Sequence, residues 1–222
     1  MPIISRLPLF ALSLLLLFGS TALAGGPSNS LDVSVMRSMA ALRAEQPTLT
    51  AGVAMLTVLG GAPVTLGLAG IASLVLLFRR ASAHALILAL IVLTERWLVD
   101  GLKDWIGRPR PGFGVDWLPQ SLAYPSGHAA NSMTAFLAVA LIAAPPAYRR
   151  VAAVVAVALS ILIGLTRIYL GVHWPSDVIG GWALGLLSVA AALAVGNWSG
   201  ALKLQHEVVG RHRLPRGEDE TA

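Results

Sequence analysis

Three short segments of the chain carry residue types that can bind an anion and move a proton. They read KDWIGRPRP at 103–111, AYPSGHAAN at 123–131 and TRIYLGVHWPSD at 166–177. Between them they supply a lysine, three arginines, two histidines and carboxylates. Each segment borders a long apolar run, where charged groups are costly and usually functional. A shared site built from the three segments is therefore the first hypothesis.

The first segment supplies cations. Lys103 and Arg110 are seven positions apart, which would place them on one helix face, but the glycine and prolines around them disfavour a continuous helix. We therefore expect Lys103 to end a helix, and Arg108 and Arg110 to lie in an extended turn stiffened by proline. A guanidinium offers a planar fork of donors for phosphate, and an ammonium offers a compact charge. An ordinary basic loop is the alternative for this segment alone.

The second segment has the features of a helix start that can hold an anion. Pro125 and Ser126 suit the approach to a helix, and Gly127 lets a ligand come close to the backbone. Free N–H groups and the helix dipole at such a start favour an anion. His128, in the first turn, could pass a proton to a leaving oxygen. A serine cap followed by a structural histidine is the alternative.

The third segment combines a cation, a histidine and a carboxylate. His173 and Asp177 are four positions apart, so helical geometry would place both on one face. Pro175 fits the first turn of a following helix. A carboxylate on one imidazole nitrogen fixes the tautomer and frees the other nitrogen as a nucleophile. Arg167 adds a further cation, and a capped helix with a nearby histidine is the simpler alternative.

A metal site and thiol chemistry do not fit this set of residues. Two well-separated histidines and one aspartate are too few convergent ligands, and the surrounding arginines and lysine would repel a metal cation. The chain contains no cysteine, which excludes disulfides and thiolate ligands. No cofactor is therefore expected.

The elements that must position these segments are predicted to be membrane helices. Of 222 residues, 56% are hydrophobic and 12% are charged, whereas soluble domains carry about a quarter charged residues. A helix that crosses the hydrocarbon core needs about 20 mostly apolar residues. Candidate runs lie at 7–24, 53–78, 81–94, 127–148, 151–166 and 178–202. The pattern predicts an all-α, polytopic membrane helix bundle of about six transmembrane helices in one domain.

The first run has two interpretations. Residues 1–24 have a positive start, an apolar stretch and an Ala22-Leu23-Ala24 cleavage pattern, as in a signal peptide. They are also long enough to remain as a first transmembrane helix, and their removal would leave five spans. Residues 25–202 form the core in either case, and the charged tail at 203–222 is predicted to be disordered and cytoplasmic.

The distribution of charge predicts an orientation in the membrane. The net charge of +5 comes largely from short loops and the tail, so it indicates membrane orientation and not a nucleic-acid partner. If six spans alternate, the pairs at 79–80 and 149–150 and the tail cations share one side, which is then cytoplasmic. Loops 100–125 and 167–177 then face the exterior, the periplasm if the membrane is a bacterial inner membrane. An aromatic belt is predicted at this boundary from Trp97, Trp105, Trp117 and Trp174.

The three segments resemble the signature of the type 2 phosphatidic acid phosphatase (PAP2) family of integral membrane lipid phosphatases. That signature is Lys, six residues, Arg-Pro; then Pro-Ser-Gly-His; then Ser-Arg, five residues, His, three residues, Asp. The matching positions are Lys103, Arg110-Pro111, residues 125–128, Arg167, His173 and Asp177. Thr166 stands where the family usually has serine, which puts any role of that hydroxyl in question.

The resemblance implies metal-independent hydrolysis of a phosphomonoester or pyrophosphate of a membrane lipid through a phosphohistidine. His173 would attack phosphorus, Asp177 would hold its far nitrogen, and His128 would protonate the leaving group and then activate water. Phosphoryl transfer needs mainly positioning and charge stabilisation. The phosphate oxygens would be bound by Lys103, Arg110, Arg167 and the backbone at Ser126 and Gly127, with Arg108 as a further phosphate-binding residue.

The implied substrate is a membrane phospholipid or a polyprenyl phosphate, with undecaprenyl diphosphate or phosphatidic acid as first candidates. Lipid A and phosphatidylglycerophosphate are alternatives within the same chemistry. A non-catalytic anion- or lipid-binding membrane protein or transporter would use the same cations but would bind lipid without releasing phosphate. Vanadate-dependent oxidation, as in related haloperoxidases, is disfavoured by the membrane spans.

Overall fold

The computed structural model describes residues 7–113 and 118–198, and these residues form a helical bundle. Within those two ranges there are eight α-helices, one 3₁₀ turn at Val58–Gly60 and no β-strand. The helices are α1 (Leu7–Ala24), α2 (Ser30–Glu45), α3 (Pro47–Thr57), α4 (Ala62–Phe78), α5 (Ser82–Ile106), α6 (Gly127–Ile142), α7 (Arg149–Tyr169) and α8 (Pro175–Trp198). The predicted all-α fold is confirmed.

The outer surface of the bundle is apolar, as expected of a protein surrounded by lipid. Large hydrophobic side chains such as Leu16, Phe78 and Val154 are more than half exposed. Among the described residues, α7 and α8 are each long and apolar enough to cross a membrane, and α3 with α4, bent by 41° at the 3₁₀ turn, forms a third candidate span. The chain is an integral membrane helix bundle, and the number of six spans stays a prediction.

The predicted runs and the observed helices agree in order and differ at two places. The run at 53–78 is divided into α3 and α4, because Gly61 is extended and a proline follows in the first turn of α4. The run at 81–94 continues as α5 to Ile106, so Lys103 lies in the last turn of this helix, close to the predicted helix end. The Glu95 side chain points into the bundle and is only 1% exposed, and neither of its carboxylate oxygens has a hydrogen-bond partner among the described residues.

α6 is the central helix of the bundle. Most of its side chains are buried, and it packs against α4, α5, α7 and α8. A Cβ placed on Gly181 of α8 would lie 2.6 Å from the Ser126 carbonyl oxygen, and one on Gly185 would lie 2.7 Å from the Met133 Cβ. Neither position has room for a side chain, so α8 packs directly against α6. This contact brings the starts of the two helices together.

α1 packs along α8 and is hydrogen-bonded to the loop that precedes α6. The Tyr124 hydroxyl donates to the Phe18 carbonyl oxygen at 2.6 Å and pairs with the Thr21 hydroxyl at 3.0 Å. The first apolar run is thus a helix from Leu7 to Ala24, whereas its retention or cleavage stays a prediction. The predicted tail at 203–222 lies outside the described residues.

The tryptophans divide into two groups. Trp97 and Trp105 of α5 are 79% and 81% exposed, and the aromatic belt stays a prediction. Trp174 does not belong to such a belt, because it is buried and its indole N–H donates to the Pro109 carbonyl oxygen at 2.8 Å. Its role is instead to join the start of α8 to the loop after α5. Trp117 lies outside the described residues.

Candidate functional site

The three segments 103–111, 123–131 and 166–177 meet at one end of the bundle, which is called the site end below. α5 and α7 end there, and α6 and α8 begin there. Between them lies a cavity of about 190 Å³. Its walls are formed by Ala62, Arg96, Val99, Asp100, Lys103, Arg110, Pro119, Ser121, Gly127, His128, Asn131, Arg167 and His173. The cavity therefore collects residues from all three segments, although they are far apart in the chain.

His173 lies in the turn between α7 and α8, with its imidazole at the cavity wall. The residue is buried, and its Nε2 lies 3.1 Å from Nη1 of Arg110. Because a guanidinium nitrogen can only donate, Nε2 is the unprotonated nitrogen of a neutral ring in this contact. Its lone pair therefore points toward the cations of the cavity, as a nucleophile requires.

Burial and three cations keep the His173 ring neutral. Burial has the largest effect and, together with the charges of Arg110, Arg167 and Lys103, lowers the pKa of His173 well below its ordinary value. The backbone of Ala123 acts in the opposite direction. An imidazole with a low pKa is a free base at neutral pH, so the lone pair of Nε2 is available there.

Asp177, in the first turn of α8, stands behind the His173 ring. Its Oδ2 lies 3.4 Å from Nδ1 of His173 and accepts a hydrogen bond from the Trp174 backbone N–H at 2.8 Å. The first contact is an ion-pair distance without hydrogen-bond alignment, since Nδ1 has no hydrogen-bond partner among the described residues. The buried carboxylate is thus placed to stabilise a positive charge that develops on the ring.

Arg108 holds the Asp177 carboxylate and does not face the cavity. Its Nη1 donates to Asp177 Oδ1 at 2.7 Å, and its Nη2 donates to the Thr21 and Ala22 carbonyl oxygens of α1 at 2.8 and 2.7 Å. The guanidinium also lies 4.5 Å from the centroid of the Tyr124 ring. Arg108 is 6% exposed and is not part of the cavity wall. The geometry therefore does not support the expected phosphate contact of Arg108, because its donors are already used within the protein.

A second buried carboxylate, Asp32 of α2, is connected to the same arginine through Ser176. Asp32 accepts hydrogen bonds from the Ser176 backbone N–H at 3.1 Å, from the Ser176 hydroxyl, and from the Gly26 N–H at 2.6 Å. Nη1 of Arg108 lies 3.0 Å from the Ser176 hydroxyl oxygen. Asp32 thus caps the start of α8 near Asp177. Asp32 was not a predicted site residue. In the sequence it lies among apolar positions with helical spacing, and this pattern does not indicate which distant residue it contacts.

Arg110 and Arg167 are held in place by neutral oxygen acceptors. Nε of Arg110 donates to the Ser121 carbonyl oxygen at 2.6 Å, and burial lowers the pKa of Arg110 while Asp177 raises it. Nη1 of Arg167 donates to the Thr57 hydroxyl at 2.9 Å, and its Nε is buried with no hydrogen-bond partner among the described residues. Because these contacts leave the positive charges unneutralised, an anion in the cavity would be attracted to both.

The start of α6 contributes Gly127 to the cavity wall, but not Ser126. The Ser126 backbone N–H donates to the Asp177 carbonyl oxygen at 3.0 Å, so it is not free to bind phosphate as expected. The Ser126 hydroxyl is buried and has no partner among the described residues. A Cβ placed on Gly127 would lie 3.5 Å from Nζ of Lys103. The lysine ammonium is therefore beside the first turn of α6, whose N–H groups lack partners within the helix.

His128 packs against the 3₁₀ turn between α3 and α4. A Cβ placed on Gly60 would lie 3.3 Å from Cδ2 of His128 and 2.4 Å from Cγ2 of Ile163. Glycine at position 60 therefore leaves the space that the imidazole occupies. Gly60 was not a predicted site residue, because nothing in the local sequence of the turn indicates which distant side chain packs on it.

One wall of the cavity is formed by residues that the sequence analysis did not select. They are Arg96 and Asp100 of α5 and Asn131 of α6. A signal was present, because positions 96, 100 and 103 are spaced i, i+4 and i+7 and share a helix face with Lys103. The predicted apolar run at 81–94 ended just before Glu95 and Arg96, and neither residue was predicted to belong to the site.

Thr166 does not take part in the cavity wall. Its hydroxyl donates to the Ile163 carbonyl oxygen within α7, and the residue is buried. The threonine at this position therefore leaves the shape and charge of the cavity unchanged.

The cavity combines an unprotonated imidazole nitrogen, a carboxylate behind the same ring, a second histidine and several cations. Such a set can bind a tetrahedral anion, attack its central atom and move a proton. Over residues 7–113 and 118–198, no group of three or more histidine, aspartate or glutamate side chains is placed to hold a metal ion. The chemistry that the described residues offer is that of an anion site.

Comparison with known proteins gives consistent similarities. A family model described as the PAP2 superfamily matches residues 84–201. The chain is 34% identical over 155 residues to phosphatidylglycerophosphatase B of Bacillus subtilis (strain 168), covering 68% of this chain and 76% of that protein. It is 29% identical over 147 residues to an undecaprenyl-diphosphatase of Sulfolobus acidocaldarius, covering 63% of each. A lipid A 1-phosphatase of Rhizobium johnstonii is 39% identical over 98 residues, which cover 40% of this chain and 38% of that protein.

The fold also has a similar solved structure. The crystal structure of a transmembrane PAP2 type phosphatidylglycerolphosphate phosphatase from Bacillus subtilis superimposes with a TM-score of 0.77 and 30% identity. The match covers 84% of this chain and 96% of that one. The matched part of the family model, 84–201, contains all three segments that form the cavity.

Proposed function

The chain belongs to the PAP2 superfamily, and on this basis we propose that it removes the terminal phosphate of a membrane lipid through a phosphohistidine. The observation that carries the proposal is the unprotonated Nε2 of His173, which faces a cavity lined by Lys103, Arg110, Arg167 and His128. The relatives named above as phosphatases of phosphatidylglycerophosphate, undecaprenyl diphosphate and lipid A support a lipid phosphate as the substrate.

In the first step, Nε2 of His173 attacks phosphorus, and an N–P bond forms as the bond to the lipid oxygen breaks. The Nη1 donor of Arg110, now directed at Nε2, turns to a phosphate oxygen when the substrate enters. His128, protonated once the negative phosphate is bound beside it, gives that proton to the leaving oxygen. Asp177 stabilises the positive charge of the phosphorylated ring through Nδ1.

The phosphate oxygens are proposed to accept hydrogen bonds from N–H and O–H groups that are not fully used within the protein. Lys103 and the first N–H groups of α6 lie together beside Gly127. Nε of Arg167 and the Ser126 hydroxyl are both buried, and neither has a hydrogen-bond partner among the described residues. A buried donor without an acceptor is destabilising, and a phosphate oxygen would satisfy both groups. The contribution of Ser126 is therefore proposed for its hydroxyl and not for its N–H.

In the second step, water attacks the phosphohistidine. His128, deprotonated in the first step, takes the proton of the water, and the P–N bond breaks to release inorganic phosphate and neutral His173. Each histidine returns to its starting protonation state. The cycle consumes one water and one lipid phosphate and uses no metal.

The proposed location of the site is the exterior face of the membrane, the periplasmic face if the membrane is a bacterial inner membrane. At the end of the bundle opposite the cavity, Arg79–Arg80 lie in the turn after α4 and Arg149–Arg150 begin α7. Positive loops stay preferentially in the cytoplasm, which favours an exterior cavity. A carrier lipid whose phosphate is removed outside, such as undecaprenyl diphosphate, suits this orientation.

The test is phosphate release from a panel of lipid phosphates in detergent, with EDTA present. The panel contains phosphatidic acid, phosphatidylglycerophosphate, undecaprenyl diphosphate and lipid A. We expect EDTA-resistant release from at least one lipid, loss of release in His173→Ala, and an acid-labile, alkali-stable phosphoryl group on the wild-type protein. His84→Ala, at the start of α5 far from the site end, is the matched histidine control and is expected to remain active.

Two outcomes contradict the proposal. Phosphate release that survives His173→Ala would show that another group attacks phosphorus, and release that disappears with EDTA would show a metal requirement. Lipid binding without any phosphate release would instead support the non-catalytic alternative, an anion- or lipid-binding protein or transporter. Oxidation of a halide in the presence of vanadate would support the haloperoxidase alternative.

A further inference from the structure

The cavity extends along α5 beyond the cations that surround His173. Arg96 and Asp100 line it together with Lys103, and the three lie on one face of the helix. The seven residues from Arg96 to Lys103 correspond to a rise of about 10 Å at 1.5 Å per residue. Because Lys103 is in the last turn of α5 at the site end, Arg96 lies nearer the middle of the bundle.

α6 lies opposite α5 and lines the inner part of the cavity at the same depth as Arg96. It runs antiparallel to α5, with Gly127 beside Lys103 and Val99. Asn131, one turn beyond His128, lines the cavity as Arg96 does. The cavity therefore has a polar inner part within the bundle, and polar groups at such depth in membrane proteins usually serve a ligand.

Arg96 forms no salt bridge in the described part of the chain, although the carboxylate of the adjacent Glu95 interacts with its charge. The salt bridges there are Arg108–Asp177 and His173–Asp177, and neither involves Arg96. Asp100 is one turn away on the same face but does not form an ion pair with it. The guanidinium is half-buried, so an anion bound to it would be screened less than at an exposed site. This is the arrangement expected of a second anion-binding group within the same cavity.

The direction of in-line transfer connects this inner part to the leaving group. The leaving group lies on the side of phosphorus away from the attacking Nε2 of His173. In a lipid phosphatase the leaving group carries the hydrocarbon chain, which must extend from the site end toward the membrane interior. The wall at Arg96 and Asn131 lies in that direction, so it faces the part of the substrate just inside the transferred phosphate.

We propose that Arg96 forms a second phosphate subsite, and that the preferred substrates are lipids with two phosphate groups. The terminal phosphate is transferred to His173, and the inner phosphate is bound by Arg96. Two kinds of lipid have this chemistry: a polyprenyl diphosphate, and a glycerophospholipid whose head group ends in a second phosphate. Phosphatidic acid has one phosphate and leaves Arg96 without an anion. This inference rests on the proposed phosphatase function and narrows its substrate class.

Substitution of Asp100 tests the subsite, because its expected effect on the affinity for two-phosphate lipids is opposite to that of substituting Arg96. Its carboxylate lines the cavity between Arg96 and Lys103 and repels an inner phosphate at that position. Removal of its charge in Asp100→Asn is therefore expected to raise the apparent affinity for two-phosphate lipids, whereas removal of the Arg96 charge lowers it. A general effect of altering this helix face would change both variants in the same direction.

The experiment compares one-phosphate and two-phosphate lipids that have the same hydrocarbon chains. We would measure kcat/KM for farnesyl monophosphate against farnesyl diphosphate, and for phosphatidic acid against phosphatidylglycerophosphate with the same acyl chains. The variants are Arg96→Gln, Arg96→Lys and Asp100→Asn. Arg37→Gln, an exposed arginine of α2 outside the cavity, is the matched control for loss of one positive charge.

Loss of a charge-assisted hydrogen bond predicts a fall of about tenfold or more in kcat/KM for the two-phosphate lipid in Arg96→Gln. The one-phosphate lipid should change little, and Arg96→Lys should keep part of the preference. A loss confined to the farnesyl pair identifies adjacent phosphates as the ligand, and a loss confined to the phospholipid pair identifies the spaced ones. Equal losses on both members of each pair overturn the subsite while leaving the phosphatase intact.

The wild-type protein gives a second measurement that does not depend on the folding of any variant. We expect it to prefer the two-phosphate member of at least one pair, and equal kcat/KM values for both members of both pairs overturn the subsite. Absence of phosphate release from these four lipids and from the lipid panel described above contradicts the proposed function itself, and the subsite with it. The two failures are therefore distinguishable.

Discussion

The guanidinium of Arg108 lies 2.7 Å from Oδ1 of Asp177, the carboxylate oxygen that does not face His173. Arg108 is 6% exposed and Asp177 is 0% exposed, so the pair is buried. The two carbonyl oxygens at the end of α1 hold the guanidinium from the other side. Arg108 thereby fixes the position of the carboxylate, whose other oxygen lies 3.4 Å from Nδ1 of His173. Arg108 is a positioning residue in this arrangement.

The first prediction concerns Arg108→Gln. Because the change moves Asp177 and the His173 ring, we expect kcat to fall by about tenfold to a hundredfold, as small misplacements of catalytic groups do. KM should change little, since Arg108 is not part of the cavity wall. Arg108→Lys keeps the charge and should restore part of kcat. Steady-state kinetics on a single lipid in detergent separates these effects.

A double-mutant cycle with Asp177→Asn distinguishes positioning from direct phosphate binding. If Arg108 acts only through the Asp177 carboxylate, the double variant should be about as slow as Asp177→Asn alone. Losses that multiply would show that Arg108 has an effect of its own on the substrate. Breaking a buried ion pair on one side also costs about 3–5 kcal/mol of stability, so thermal unfolding of each variant is measured alongside.

The second prediction concerns the pH dependence of phosphoenzyme formation. Burial and the charges of Arg110, Arg167 and Lys103 hold the pKa of His173 well below its ordinary value, which is about 6.5. Nε2 therefore stays unprotonated as the pH falls through that value, and the rate of phosphoenzyme formation should fall only at lower pH. A rapid-quench pH series of the first turnover measures this step separately from the attack of water.

The lowered pKa of His173 also predicts how the free energy of unfolding depends on pH. Below the ordinary histidine pKa the unfolded chain binds a proton at His173 that the folded protein does not bind, so the unfolding free energy decreases as the pH falls. Thermal unfolding at each pH is therefore the control for the kinetic series. A half-maximal rate at or above about pH 6.5 in protein that is still folded contradicts the prediction.

The convergence of the three segments could be predicted because each one flanks a helix at the same end of the bundle. Lys103 ends α5, His128 begins α6, and Arg167 and His173 lie at the end of α7 and just after it. Alternation of the spans was enough to place them together. The residue types then limited the chemistry to an anion, because the charges are positive and the histidines are too few for a metal.

The direction of single side chains could not be predicted in the same way. Arg108 and Arg110 are two positions apart in one extended turn, and both were predicted to bind phosphate. In the structure Arg110 faces the cavity, whereas Arg108 faces Asp177 and the end of α1. That choice depends on carbonyl oxygens more than eighty residues earlier in the chain. Arg96 was missed for a related reason, since a charge in an apolar run has no visible partner until the helices are packed.

The third prediction concerns the contact between Gly60 and His128. A Cβ at position 60 would lie 2.4 Å from Cγ2 of Ile163 and 3.3 Å from Cδ2 of His128, so Gly60→Ala must displace the turn or the imidazole. We expect phosphate release to fall by about tenfold to a hundredfold. Gly67→Ala, in α4 with nothing near its Cβ position, is the matched control and should be stabilising by up to about 1 kcal/mol. Unchanged activity in Gly60→Ala would show that the placement of His128 is not critical.

The fourth prediction concerns Tyr124, whose hydroxyl joins the loop before α6 to Phe18 and Thr21 of α1. Burial is the main cause that raises the pKa of Tyr124 to about 12. Above the ordinary tyrosine pKa of about 10 the unfolded chain loses this proton and the folded protein keeps it, so stability should decrease as the pH rises further.

Tyr124→Phe is expected to remove that alkaline dependence and to cost about 1 kcal/mol at neutral pH. Thermal unfolding of the two proteins across an alkaline pH series measures both effects. The comparison also bears on the fate of residues 1–24, because the hydroxyl has its described partners in α1. If that segment is cleaved from the mature protein, Tyr124→Phe should change neither the stability nor its pH dependence, and mass spectrometry of the purified chain would show the new N-terminus. A destabilised variant in a chain that retains residues 1–24 would support α1 as a part of the folded bundle.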